Sequence, residues 1–150
     1  MKVIFHTDGG ARGNPGPAAV GIVIERTQNP ELNDQTKMEK ITEFGKRIGE
    51  ATNNVAEYTA VVEALEYIRT QNPELNDQQR KKTEIQFFLD SNLVVNQLNG
   101  LFKIKNAQLR ALLMRVRQLE QEVGGVVRYA NIPREQNQRA DFLVNKALDQ

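Results

Sequence analysis

The 150-residue chain contains no cysteine and no tryptophan, and its only histidine is His6. Without cysteine there is no disulfide framework, no thiolate chemistry and no cysteine-ligated zinc site. A single histidine also excludes histidine-rich metal sites. No apolar run is long enough to cross a bilayer, and the N-terminus lacks the pattern of a signal peptide, so we expect a cytoplasmic protein with no membrane association.

A strong excess of charge of either sign is also missing. The formal net charge is +1, and hydrophobic residues make up 39% of the sequence. These values are typical of a soluble globular protein, and the length fits a single domain covering residues 1–150. Any surface that binds nucleic acid must therefore be local. We expect a monomer with no obligate protein partner.

One stretch near the N-terminus is dense in glycine and proline. The apolar run Val3–Phe5 leads to Asp8, and residues 9–17 then contain four glycines and two prolines. An isolated Asp-Gly pair is typical of a hairpin turn, but this turn is longer and contains an arginine and an asparagine suited to ligand contacts. A dinucleotide loop is excluded because the G-x-G-x-x-G spacing is absent. His6, which shares a strand face with Asp8, is interpreted as a packed core residue.

The hydrophobic pattern predicts a mixed α/β fold. Strands joined by hairpins should be antiparallel, and strands joined through helices should be parallel with right-handed crossovers. The first predicted strand begins with the apolar run at residues 3–5 and ends at Asp8, and the other strands are residues 18–27, 38–48, 83–89 and 126–131. The predicted helices are residues 52–69, 91–98, 109–123 and 140–148. The first of these helices has the apolar stripe Val55, Tyr58, Val62, Leu65 and Ile68.

A ten-residue sequence, RTQNPELNDQ, occurs twice, at residues 26–35 and 69–78. The flanking residues do not repeat, which argues against a solenoid. We interpret both copies as surface insertions, the first at a hairpin tip, and assign them no function.

Four carboxylates lie where helices and strands begin or end. Asp8 and Asp90 each end a predicted buried strand, and if these strands are parallel neighbours their carboxylates lie side by side at the carboxyl edge of the sheet. Glu57 and Asp141 lie in the early turns of two helices. Three of the four also have a structural alternative: a capping box at 54–57 for Glu57, an N-cap at Asp90, and a favourable helix dipole at Asp141.

The four carboxylates together indicate a metal site. Close carboxylate pairs repel by about 1–4 kcal/mol in partly solvated surroundings, so such a cluster needs a cation. Oxygen ligands without histidine or cysteine select hard ions such as Mg²⁺ or Mn²⁺. Two such ions about 4 Å apart can activate a water molecule and stabilise the leaving oxygen in phosphodiester cleavage.

Four segments in this order resemble the type 1 ribonuclease H family: residues 7–17 (TDGGARGNPGP), 52–57 (TNNVAE), 89–91 (LDS) and 137–141 (NQRAD). The resemblance covers essentially the whole chain. It implies a ribonuclease H-like α/β fold, with helices flanking a five-stranded mixed sheet in the order 3-2-1-4-5. It also implies metal-dependent hydrolysis of the RNA strand of an RNA–DNA hybrid, leaving 5′-phosphate and 3′-hydroxyl ends. In the implied site two Mg²⁺ ions, with Mn²⁺ as a substitute, are held by the family's catalytic carboxylates, which correspond to Asp8, Glu57, Asp90 and Asp141.

The same resemblance implies several substrate contacts. Asn14 and Asn53 match residues that contact the minor groove of the hybrid, where a 2′-hydroxyl distinguishes RNA from DNA. Thr52 matches part of a pocket for a phosphate of the DNA strand, and Asn137 matches an asparagine of the active-site loop. N-capping of the first helix is the structural alternative for one residue of 52–54.

Two features depart from the family pattern. Many members carry a histidine in the loop before the last acid, but residues 132–138 contain none, and Arg134 and Glu135 are the candidates to replace it. Some members insert a basic helical protrusion, which is reduced here to residues 99–106, with Lys103 and Lys105 as the remaining phosphate contacts.

Two other functions fit the sequence less well than hybrid cleavage. A non-catalytic nucleic-acid-binding module on the same fold would gain nothing from four clustered carboxylates facing phosphates. Proofreading-type exonucleases of the same superfamily place a glutamate two residues after the first aspartate, where this chain has Gly10.

Overall fold

The computed structural model describes residues 2–27, 38–71 and 83–150. Within these ranges the chain forms five strands, four α-helices and one short 3₁₀ helix at Arg134–Gln136. The strands are β1 (Lys2–Ala11), β2 (Gly16–Thr27), β3 (Met38–Ala51), β4 (Glu84–Leu89) and β5 (Val126–Asn131). The helices are α1 (Asn53–Gln71), α2 (Asn92–Leu98), α3 (Ala107–Val123) and α4 (Gln138–Leu148).

The strands form one mixed sheet in the order β3-β2-β1-β4-β5, which confirms the predicted order. β1, β2 and β3 pair antiparallel, whereas β1, β4 and β5 pair parallel. Across the parallel strands the rings of Phe5, Phe87 and Tyr129 form a buried row, with centroids 4.6 and 5.2 Å apart. This row joins the strand that carries Asp8 to its parallel neighbours.

The helices cover opposite faces of the sheet because neighbouring strand residues point in opposite directions. Gly9 faces the backbone of α1, whereas Gly10 faces Val144 of α4. α1 packs on β1, β2 and α3, and α4 packs across β1, β2 and β3. The main hydrophobic core lies on the α1 side of the sheet, and a smaller cluster beneath α4 contains Ala19 and Val144.

The strand β1 is longer than predicted. It continues past Phe5 to Ala11 because residues 8–11 pair with β2, and Asp8 lies opposite Gly21. Asp8 is therefore inside the strand, so the prediction that it ends a strand was wrong in detail. Parallel pairing with β4 stops at His6, which still leaves Asp8 at the carboxyl edge of that neighbour.

Two burial predictions need correction. In α1 the predicted stripe residue Val62 is only partly buried, whereas its neighbour Val61 is fully buried, because the helix packs against both the sheet and α3. His6 is not a packed core residue. Its side chain is 27% exposed and its ring lies beside the ring of Phe88 in a tilted arrangement, with centroids 5.2 Å apart.

Only the beginning of each copy of the repeated sequence belongs to the described residues. The first copy contributes the end of β2 and the second contributes the end of α1. The prediction that both copies are surface insertions falls mainly on residues outside the described ranges. No helix in the described parts of the chain combines the length and apolarity needed to span a bilayer.

Candidate active site

Asp8 and Glu57 come together because α1 begins directly against β1. A Cβ atom at Gly9 would lie 2.2 Å from the carbonyl carbon and oxygen of Ala56, so only glycine allows this approach. The close contact places Glu57, the next residue of α1, beside Asp8. One oxygen from each of Asp8, Glu57 and Asp90 lies within 4.8 Å of the others. The structure therefore brings three of the four predicted carboxylates into one cluster.

Asp90 follows β4 directly and enters the cluster from the neighbouring strand. The N-cap of α2 is Ser91, whose hydroxyl accepts a hydrogen bond from the backbone N–H of Val94, so the capping alternative for Asp90 is wrong. The side-chain amide of Asn137 donates to Asp90 at 3.3 Å and to the carbonyl oxygen of Thr7 at 2.9 Å. Asn137 thus connects the loop before α4 to both strands that carry acids.

Asp141 lies in the first turn of α4 and lines the same cavity as the other three acids. The helix reaches this position because it packs closely on β2, where a Cβ atom at Gly21 would lie 2.1 Å from the carbonyl oxygen of Ala140. Its first-turn position also agrees with the helix-dipole alternative. Asp141 can both line the cavity and interact with the helix dipole, since the N-terminus of α4 faces the cavity.

The four acids line an open cavity of about 380 Å³. Among the described residues around it, the side chains with positive charge are Arg12 and Arg134. The remaining polar side chains come from the first turn of α1, the start of α2 and the last turns of α4, and they are Asn53, Asn54, Ser91 and Asn145. The cavity is thus dominated by carboxylates and amides.

Burial and mutual repulsion disfavour ionisation of the two innermost acids. Asp8 is 7% and Glu57 6% exposed. The pKa of Asp8 is raised to about 7, mainly by burial. A hydrogen bond with Glu57 lowers this pKa, whereas repulsion from Asp90 and Asp141 raises it further. The pKa of Glu57 is raised well above its usual range, first by burial and then by Asp8. Without a cation the cluster tends to retain protons.

The donor set fits a hard divalent cation. All donors are carboxylate oxygens, which Mg²⁺ and Mn²⁺ prefer. One oxygen of Glu57 is buried with no hydrogen-bond partner among the described residues, although buried polar atoms are normally paired. A cation would pair this oxygen and neutralise the repulsion between the acids.

The raised pKa of Asp8 gives a first testable prediction for the metal-free protein. A carboxyl group with a raised folded pKa stabilises the fold below its unfolded pKa of 3.8, and this contribution is lost as the pH rises through about 7. We therefore expect Asp8→Asn, measured in EDTA, to melt on the order of 5 °C above the wild type at pH 8. At pH 4 the two melting temperatures should converge. Thermal unfolding across this pH range checks the prediction, and a pH-independent difference would contradict it.

The two asparagines assigned to the minor groove interlock at the edge of the cavity. The side-chain oxygen of Asn53 accepts from the backbone N–H of Ala11, and that of Asn14 accepts from the backbone N–H of Asn53, both at 2.9 Å. Each amide NH₂ group has no partner within the described ranges. Both side chains can therefore donate a hydrogen bond to a ligand.

The structure decides which residue caps α1. The hydroxyl of Thr52 accepts from the backbone N–H of Val55 at 3.2 Å, so Thr52 is the N-cap. The capping-box alternative for Glu57 is wrong, because Val55 occupies the third helical position of α1 that a box requires. Thr52 does not line the cavity, and its phosphate contact stays a prediction.

The other predicted contacts fall into two groups. Arg134 lines the cavity, whereas Glu135, on the same 3₁₀ helix, does not. Lys103 and Lys105 are exposed in the segment between α2 and α3 and lie outside the cavity. Asn137 is 1% exposed, and the contacts it makes hold the loop and Asp90 in place.

Sequence reasoning missed Asn145 and gave Arg12 no specific role. Asn145 lies four residues after Asp141, one helical turn along the same face of α4. Its side-chain amide donates to the carbonyl oxygen of Asp141 at 3.0 Å. The helical spacing is a signal that would have identified Asn145, whereas the position of Arg12 over the cavity depends on tertiary contacts.

Comparisons with known proteins agree with this geometry. The family described as Reverse transcriptase-like matches residues 6–147. The crystal structure of RNase H1 from the halophilic archaeon Halobacterium salinarum is 36% identical, with a TM-score of 0.80, and the match covers 99% of this chain and 98% of that one. The chain belongs to the type 1 ribonuclease H family. This confirms the resemblance noted in its sequence motifs.

Two further relatives bear on function. LC11-RNase H1, whose crystal structure is a complex with an RNA/DNA hybrid, is 37% identical with a TM-score of 0.83, over 98% of this chain and 96% of that one. A bifunctional protein of Mycobacterium tuberculosis is 34% identical over 149 residues, 99% of this chain but 36% of the relative. The chain thus spans about a third of this curated relative, and 65% of the full Halobacterium ribonuclease HI.

Proposed function

We propose that this protein is a metal-dependent endonuclease that hydrolyses the RNA strand of RNA–DNA hybrids and leaves 5′-phosphate and 3′-hydroxyl ends. The observation that carries the proposal is the cluster of three carboxylates within 4.8 Å of one another, two of them buried, with an unpaired oxygen on Glu57. Family membership supports it, since a 37% identical relative forms a crystalline complex with an RNA/DNA hybrid.

In the proposed mechanism Asp8, Glu57, Asp90 and Asp141 hold two Mg²⁺ ions, for which Mn²⁺ is a possible substitute. Bound there, such ions supply an activated water and stabilise the charge that develops on the leaving oxygen. Asn137 holds Asp90 in position by its hydrogen bond, and Gly9 allows Glu57 to reach Asp8. A pre-positioned set of acids needs little reorganisation during the reaction.

The substrate contacts are proposed on the rim of the cavity. The free NH₂ groups of Asn14 and Asn53 would donate to a 2′-hydroxyl, which only the RNA strand carries. Lys103 and Lys105 would contact phosphates further along the duplex, since they are exposed and lie away from the acids. Thr52 is proposed to contact a phosphate of the DNA strand.

Cleavage of matched end-labelled substrates tests the proposal. We expect an RNA–DNA hybrid to be cut with Mg²⁺ or Mn²⁺ but not in EDTA, with no cutting of the DNA strand. Mapping the product ends should show 5′-phosphates. Binding of the hybrid without cleavage in either metal would instead support a non-catalytic nucleic-acid-binding module.

A second testable prediction concerns how RNA is distinguished from DNA. We expect Asn14→Ala and Asn53→Ala to reduce cleavage of the normal hybrid by about tenfold or more. Residual cleavage of a strand with 2′-deoxy positions beside the scissile phosphate should fall less, because that strand lacks the hydroxyl to which the amides donate. Selectivity is measured as the ratio of kcat/KM for the two substrates.

Asn106→Ala is the matched control for loss of stability. Asn106 caps α3 through the backbone N–H of Leu109 and lies outside the cavity, so its loss should cost about 1 kcal/mol without changing selectivity. Asn53→Ala will also lower the melting temperature, since it removes the acceptor for Ala11. A destabilised Asn53→Ala protein with wild-type selectivity would assign Asn53 to the scaffold alone.

Several sequence-based expectations stay predictions: the single domain, the monomeric state, the cytoplasmic location and the replacement of the loop histidine by Arg134 or Glu135. The position of Arg134 on the cavity favours it over Glu135. The bound cation and the number of ions per site can be determined by titration with Mg²⁺ and Mn²⁺.

A further inference from the structure

Arg12 places a positive charge at a cavity whose other charged side chains are mainly acidic. Among the described residues that line the cavity, Arg12 and Arg134 face four carboxylates. The proposed substrate is a polyanion, and carboxylates repel its phosphates unless cations lie beside them. Arg12 is thus a candidate for contact with the backbone of a bound strand.

The local geometry directs the side chain of Arg12 to the C-terminal end of α4. Its backbone N–H donates to the carbonyl oxygen of Pro17 at 2.8 Å, which anchors the residue at the start of the turn. Its guanidinium lies 2.6 Å from a carboxylate oxygen of Asp149 and 3.5 Å from the side-chain oxygen of Asn145. The guanidinium is therefore held between the acidic cavity and the end of α4.

The pair of Arg12 and Asp149 is poorly suited to a purely structural role. The side chains are 48% and 65% exposed, and exposed ion pairs contribute little to stability. A guanidinium instead binds phosphate well, because its planar donors match two phosphate oxygens. The carboxylate of Asp149 occupies the place that such an anion would take.

We propose that Arg12 binds a backbone phosphate of the nucleic-acid strand in the cavity. In the absence of this strand, the carboxylate of Asp149 holds the guanidinium, and the phosphate then takes the place of that carboxylate. The inference rests on the proposed function, because it assumes that the cavity receives a nucleic-acid strand. Asn145 keeps its contact with Arg12 and donates to the carbonyl oxygen of Asp141, so the guanidinium stays beside the acids during the exchange.

The two partners of this ion pair have opposite expected effects on binding. Binding is measured by fluorescence anisotropy with a short labelled RNA–DNA hybrid and Mg²⁺, in an Asp90→Asn background that keeps the hybrid intact. Arg12→Ala should raise Kd about tenfold and reduce the slope of log Kd against log salt by about one. Asp149→Asn should lower Kd by about two- to threefold, because the guanidinium no longer has a competing anion.

A double variant separates this exchange from a general effect of charge. If Asp149 acts through Arg12, Asp149→Asn should not change Kd once Arg12 is alanine. If Asp149 merely repels nucleic acid, Asp149→Asn should still lower Kd by about two- to threefold in the Arg12→Ala protein. A decrease in Kd that persists without Arg12 would contradict the proposal that a phosphate displaces Asp149 from Arg12.

Arg47→Ala is the matched control for the end of α4. Arg47 donates to the carbonyl oxygens of Leu148 at 3.5 Å and Gln150 at 3.0 Å, and it does not line the cavity. Its loss should loosen the same segment and lower the melting temperature, with Kd unchanged. An increase in Kd equal to that of Arg12→Ala would assign Arg12 to structural support and overturn the proposal.

The outcomes separate this inference from the proposed function. If the unsubstituted protein binds the hybrid and does not cleave it, the proposed function fails, while the changes in Kd still decide the role of Arg12. If Arg12→Ala leaves both Kd and the salt dependence unchanged in a protein that cleaves the hybrid, the inference alone fails. If Asp149→Asn raises Kd, the exchange with phosphate is wrong.

Discussion

Asp8→Asn and Asp90→Asn should each reduce cleavage of an RNA–DNA hybrid by about 1,000-fold or more while the protein stays folded. Both residues contribute to the carboxylate cluster, and an amide carries no negative charge with which to hold a divalent cation. Loss of several kcal/mol of transition-state stabilisation corresponds to a decrease of this size. The measurement is single-turnover cleavage with saturating enzyme, together with thermal unfolding of each variant.

Glu84→Gln provides the control for loss of one negative charge. Glu84 is exposed at the start of β4, outside the cavity, and its substitution should leave the rate of cleavage near the wild-type value. Turnover near the wild-type rate in Asp8→Asn or Asp90→Asn would reject the assignment of the cluster as the metal site. A variant that unfolds would be replaced by Asp8→Ser or Asp90→Ser, which are smaller and also uncharged.

Gly21→Ala should cause a large loss of stability, because the new Cβ atom would meet the backbone of α4. That atom would lie 2.1 Å from the carbonyl oxygen of Ala140 and 3.1 Å from the Cβ of Leu143. The helix must move away from β2 to relieve the contact, and we expect a cost of about 3 kcal/mol or more. The displacement also moves Asp141, so kcat should fall in the folded fraction. Thermal unfolding and cleavage rate check the two effects.

Gly10→Ala is a matched substitution against the same helix. A Cβ atom at Gly10 would meet the side chain of Val144 at 3.5 Å, which is ordinary van der Waals contact. Its melting temperature should therefore stay within a few degrees of the wild type. Equal losses of stability at Gly10 and Gly21 would contradict the close approach of Ala140 to β2 as the cause.

Much of the fold could be predicted from local patterns. The hydrophobic pattern predicted a helix at residues 109–123, which the structure places at Ala107–Val123. The order of the sheet followed from the family resemblance and is confirmed. Segment ends were less predictable, because β1 continues to Ala11 only through its pairing with β2, which no local pattern reports.

At the candidate site, too, the sequence predicted some features and left others to the tertiary structure. Three of the four predicted carboxylates form the cluster and Asp141 lines the same cavity. The sequence left open which residue of 52–54 caps α1, because threonine and asparagine are both good caps. Only the hydrogen bond from Val55 to Thr52 decides it, and this leaves Asn53 free to accept from Ala11.

By itself, the sequence determined the residue types at the site, their order along the chain and the strands and helices that carry them. These properties depend on hydrophobic periodicity and turn chemistry over a few neighbouring residues. The tertiary structure alone decided that Glu57 lies beside Asp8, that Asn137 is buried against β1, and that Arg12 meets Asp149. Such contacts join residues far apart in the chain, so they depend on how closely helices and strands pack, as at Gly9, where a single Cβ atom would keep α1 away from β1.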